Sequence, residues 1–115
     1  MTVNQKIEQA LSDMVNGNIW PLVCPLETPP DSWITYLSEL DAPEDFGDDR
    51  DLEWVHHMQV HWFKKGQVNY LPVRKEIRKA LQAMGFTLED IIYTYEKDTK
   101  TTHLIFTCSI TEEDD

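Results

Sequence analysis

The sequence predicts an α+β fold, a small mixed or antiparallel β-sheet of four to five strands packed against two helices. Three observations predict it. Trp54 to Phe63 alternates as a strand does, with Trp54, His56, Met58, Val60 and Trp62 on one face and Val55, His57, Gln59, His61 and Phe63 on the other. The period then switches, and Val73, Ile77, Ala80, Leu81 and Met84 fall into one apolar stripe at helical spacing. A chain of 115 residues suits one domain, 1–115, with one core. The richer strand face and the helix stripe therefore have to cover each other. Val60, Trp62, Ile77, Leu81 and Phe106 are the expected centre of that core, with Trp62 its largest contributor.

Each element has its own local cause. Thr2 and Gln5 are spaced as a capping box, Ile7, Ala10, Leu11, Met14 and Val15 form a stripe, and Asn16-Gly17 is a stop, which predicts a helix over 3–16. The extended segment Ile19 to Pro25 contains Pro21 and Pro25, which lack ladder donors, so it reads as an edge strand or an irregular one. Glu27 to Asp31 is a loop, and Trp33 to Leu37 is a short aromatic and β-branched strand. Pro72 suits the first turn of the second helix, and Gly85 its left-handed end, closed by Phe86. Ile91 to Tyr95 and His103 to Ile110 flank a polar connection and read as a hairpin, with Leu104, Phe106, Cys108 and Ile110 on its apolar face.

Between the second and third strands the composition changes. Residues 39–53 hold eight acids and one base, a density of like charge that resists burial, and predict a long acidic loop. The tail, residues 111–115, is also acidic and is expected to fray.

Composition excludes several function classes. A formal net charge of −11 argues against a general or sequence-specific nucleic-acid binder, which needs a positive footprint. No apolar run approaches the ~20 residues of a membrane span, and the N-terminus has no signal pattern, so a cytoplasmic origin without membrane contact is expected. Cys24 and Cys108 each sit among apolar residues and read as reduced core thiols. His57 and His61 share a strand face but stand ~13 Å apart, too far to share one metal, while His56 points the other way and nothing fixes the pairing of His103. No phosphate loop, Cys-x-x-Cys or nucleophile elbow is present. No catalytic, cofactor or metal residues are assigned, and the chain is not expected to be an enzyme.

One cluster does point to an interaction. Lys64, Lys65, Arg74, Lys75, Arg78 and Lys79 are six of the ten basic residues, packed into sixteen positions. Arg74 with Arg78, and Lys75 with Lys79, lie one helical turn apart on a polar face opposite the apolar stripe. That face complements the acidic segment, with Asp45, Asp48, Asp49 and Asp51 at its centre. A patch that fits a different patch on an identical copy gives head-to-tail association, which closes into rings. The plainer reading is an ordinary solvated helix face beside a solubilising loop.

Several local strings carry a resemblance. Gly17-Asn18-Ile19-Trp20-Pro21-Leu22 enters the first strand with an aromatic-Pro pair. His57-Met58-Gln59-Val60-His61-Trp62-Phe63 makes a central strand. A helix ends in Leu81-Gln82-Ala83-Met84-Gly85-Phe86, and Tyr95-Glu96-Lys97-Asp98-Thr99 leads into His103-Leu104-Ile105-Phe106. In this co-linear order they resemble the tail completion or tail terminator proteins of long-tailed phages and related prophages, the group that includes the lambda-type terminator.

The resemblance implies a structural subunit that caps the finished tail tube as a hexameric ring and joins tail to head. It implies as partners further copies of itself, the major tail tube protein and the head–tail connector, and it implies residence in the virion tail after synthesis in the host cytoplasm. A ring held by partly exposed charges is weak when free, so the isolated subunit can be a monomer. The family brings no catalytic residues, and the length and acidity of segment 39–53 depart from it. Another head–tail joining or minor structural subunit, and an acidic module that binds a basic protein, are the alternative readings.

Overall fold

The computed structural model describes residues 1–44 and 53–113. Helix α1 (Val3–Leu11) and a 3-10 turn (Ser12–Val15) lead into strand β1 (Ile19–Pro21). Strands β2 (Ser32–Glu44) and β3 (Glu53–Lys65), helix α2 (Leu71–Ala83), and strands β4 (Thr87–Glu96) and β5 (Thr101–Glu113) follow. The five strands form one mixed sheet in the order β1-β2-β3-β5-β4, parallel only between β1 and β2. The fold is α+β, as expected.

The caps form as their residues dictate. Thr2 and Gln5 make the reciprocal capping box. The expected helix over 3–16 tightens into the 3-10 turn after Leu11 and stops at Asn16 and Gly17, both left-handed. At the other helix, Gly85 has φ +101, its N–H donates to the Gln82 carbonyl, and the Phe86 N–H donates to the Leu81 carbonyl. This is a Schellman end, and Phe86 buries its ring beside Leu81 in the core.

Both helices lie on one face of the sheet, which we term the inner face. Ile7, Leu11, Ile34, Val60, Ile77, Leu81, Leu104, Phe106 and Cys108 are fully buried there, with Trp62 and Ile110 nearly so. All five expected core residues are in this cluster. Val73, Ala80 and Met84 flank it, so the α2 stripe faces the sheet. Of the two cysteines, Cys108 is in the core and Cys24 is half-buried in the loop after β1, where the sequence reading had placed both in the core.

Two expectations are corrected. Segment 39–53 is not loop throughout: β2 continues to Glu44 and β3 starts at Glu53, paired from Ser32↔Lys64 to Glu44↔Glu53 with a bulge between Ser38 and Leu40. Nor does the tail begin at residue 111, because Thr111 to Glu113 extend β5 along Val55 to Glu53. Backbone pairing with a third strand supplies what the local composition lacks. Three strands of thirteen residues, each ~40 Å long, give the molecule a long axis of 52 Å. In register, the strands end with Glu44 opposite Glu53 and Glu53 opposite Glu113.

Candidate functional site

The molecule presents two candidate surfaces. The first is the pair of charged ends anticipated from the sequence. Arg74, Lys75, Arg78 and Lys79 are all exposed on the first three turns of α2. The Arg74 guanidinium lies 5.8 Å from the Tyr70 ring centroid, and Tyr70 stacks on Tyr93 at 4.2 Å. Asp45, Asp48, Asp49 and Asp51 lie outside the described residues. The strand ends that flank them pair Glu44 with Glu53 and Glu53 with Glu113. Only residues 66–70 separate β3 from α2, so the basic turns start at the end of β3 opposite to Glu53. Helix α2 then runs back along the sheet, since Thr87, soon after its end, pairs with Ser109 opposite His57, and the basic residues spread from the Lys65 end of β3 toward its middle.

The second surface is the outer face of the sheet, which neither α1 nor α2 covers. Strand register sets Trp33 opposite Phe63 and Phe63 opposite His103. The three rings form a continuous stack, Trp33 to Phe63 at 4.9 Å and Phe63 to His103 at 4.2 Å between centroids. Trp33 is only 8% exposed although it lies on the open face. Beside the stack is a cavity of about 210 Å³ lined by Pro29, Trp33, Phe63, Lys65, Glu96, Thr99 and Thr101. The 96–101 turn is pinned there: the Gly66 N–H donates to the Lys100 carbonyl at 2.7 Å, and the Thr102 hydroxyl donates to the Gly66 carbonyl at 2.6 Å.

Alongside the stack runs a polar chain. His103 Nδ1 lies 2.9 Å from Glu96 Oε1, His103 Nε2 lies 2.7 Å from His61 Nδ1, and His61 Nε2 lies 2.9 Å from Gln59 Oε1. The Gln59 amide nitrogen in turn donates to Glu39, the residue within the β2 bulge. Burial pushes both imidazoles below the ordinary histidine range, against the pull of the Glu96 carboxylate, and the charge of His103 lowers His61 further. Further along the face, His57 Nδ1 stands 3.5 Å from Glu89.

The sequence did place His57, Gln59, His61 and Phe63 on one strand face. It did not join them to Trp33, Glu96 and His103, since that needs the registers of β2, β4 and β5 on β3. Among the described residues no group of three His, Cys, Asp or Glu has metal-binding geometry, and no helix is long and apolar enough to cross a membrane.

No family model matches the chain, and no curated protein matches it. Among solved structures, the chain is similar to a chain from the virion of a native gene transfer agent particle, with a TM-score of 0.67. The match covers 97% of this chain and 95% of that one at 9% sequence identity. The two share a fold over nearly their whole lengths.

Proposed function

We propose that this chain is a structural subunit of a virion tail, one that caps the tail tube as a ring and joins tail to head. The observation that carries the reading is the fold shared end to end with a protein of a gene transfer agent virion. The order of motifs that resembles the tail terminators narrows it to the tail end. The role needs no catalytic residue and no cofactor. Its partners would be further copies of the chain, the tail tube protein and the head–tail connector.

The charged ends support a head-to-tail contact. An acidic segment seated on the basic turns of a neighbour pairs opposite charges across the contact. Partly exposed pairs contribute ~1 kcal/mol or less each, so the free ring is weak and salt-sensitive. A net charge of −11 fits a channel that passes DNA, because an acidic wall repels phosphates.

Electron microscopy of purified tail tubes incubated with the protein tests this reading. The expected image is a ring on one end of the tube. Arg74→Glu with Arg78→Glu abolishes the ring while the fold survives, and Asp48→Lys, Asp49→Lys and Asp51→Lys in the same chain restore it in part. Arg78→Glu alone separates charge from the Tyr70 stack, since Arg74 also covers that ring. Rings that form normally after the Arg74 and Arg78 reversal, or a failure of the added Asp48, Asp49 and Asp51 reversal to restore them, place the interface elsewhere. A protein that binds purified head connectors but never tube ends is a head–tail joining subunit of another kind.

A further inference from the structure

The chain of side chains from Gln59 to Glu96 has a proton count that its geometry fixes. The Gln59 amide nitrogen donates to Glu39, which leaves Gln59 Oε1 as an acceptor facing His61 Nε2. At the far end, the Glu96 carboxylate accepts from His103 Nδ1. Between these acceptors lie four ring nitrogens and three contacts, at 2.9, 2.7 and 2.9 Å. Each contact needs one hydrogen to be a bond, and two neutral imidazoles supply one each. Three bonds therefore require one proton beyond the neutral pair.

With no added proton, one contact sets two lone pairs against each other. Turning the Gln59 amide over moves that clash to Glu39 without removing it. With two added protons, an N–H points at an N–H across the 2.7 Å contact between His61 and His103, and that contact has to open.

We propose that the outer face of the sheet is a one-proton site, in which His61 and His103 share a single bound proton between terminal acceptors Gln59 and Glu96 and exclude a second. Strand β2 brings Glu39 through the Gln59 amide, β4 brings Glu96, and the end of β3 brings Lys65, which lines the adjoining cavity together with Glu96. Phe63 stacks on the His103 ring and limits water on that side. Burial and mutual repulsion both disfavour the doubly charged pair. Coupled sites of this kind titrate as a pair, with two separated steps. Uptake of the single proton ties β4, β5, β3 and the β2 bulge into one continuous hydrogen-bonded row. The site is independent of the tail-capping role.

Long-range proton–nitrogen NMR on the full chain labelled with nitrogen-15 tests the proposal, with the rings assigned from His61→Gln and His103→Gln. The His61 and His103 rings are expected to change together at one midpoint and to stop at one proton between them. The second uptake should lie more than about one pH unit lower. Gln59→Leu, at a half-buried position, removes one terminal acceptor, so that the neutral pair is fully bonded. It should move the first uptake down by roughly one pH unit, the equivalent of one hydrogen bond. Two full protons taken up at a common midpoint, or a first uptake unmoved by Gln59→Leu in a folded protein, overturns the proposal.

Discussion

The same strands build two unlike faces. On the inner face, Val60, Trp62, Leu104 and Phe106 meet Ile77 and Leu81 from α2, and stability comes from apolar area removed from water. On the outer face, their neighbours His61, Phe63 and His103 meet other side chains of the sheet in a stack and a hydrogen-bonded chain. The first arrangement rests on apolar contact. The second depends on where the protons are. A period-two strand places one kind of residue on each side, and the covering layer decides what each side is worth.

The largest effect that tests this contrast is a cavity on the inner side. Leu81→Ala should cost about 2–5 kcal/mol in denaturant melts, since Leu81 is fully buried between helix and sheet. A loss below about 1 kcal/mol would mean that α2 is not a structural cover. Gly85→Ala should cost less, about 1–2 kcal/mol, from the left-handed backbone alone. The added methyl group would meet only Ile110 Cδ1, at an ordinary 3.6 Å. A larger loss would show that the helix end sets the seating of α2 on β5.

The smallest and most discriminating effect is in pH. The His61 and His103 pKa values lie below the ordinary histidine value, so the unfolded chain binds protons before the folded one does. Stability is then full above the ordinary histidine value and is lost as pH falls through it, until the folded rings also protonate. The inner face shows the opposite sign. Burial, with smaller contributions from Glu89 and Glu39, pushes the Cys108 thiol up to about 12. Burial, and then the hydrogen bond its hydroxyl donates to Glu8, likewise raises Tyr36. The unfolded chain loses these protons first, so stability falls as pH rises through the ordinary thiol range toward about 12. Melting curves across pH should show both limbs. His103→Gln should flatten only the acid limb, and Cys108→Ala only the alkaline one. Loss of both limbs from either substitution would mean that the two faces are not separable.

Much was legible from the residues alone, because it was local. Alternation along β3, the α2 stripe, the Thr2 capping box and the Gly85 end each depend on neighbours within a few positions, and each formed as read. So did the inner face, since apolar periodicity has one way to bury itself in a chain of this size. The ends of the long strands were not legible. Leu40 to Glu44 and Thr111 to Glu113 look like loop and tail by composition, yet they pair along β3, whose backbone offers both of its edges. The outer-face site also waited on the fold. His61 and His103 are 42 positions apart, and Trp33 reaches Phe63 only through the β2–β3 register. Sequence periodicity determines which face a side chain takes. Only the register of one strand on another determines what it meets there, and register is a long-range property set by bulges, turns and the shared core.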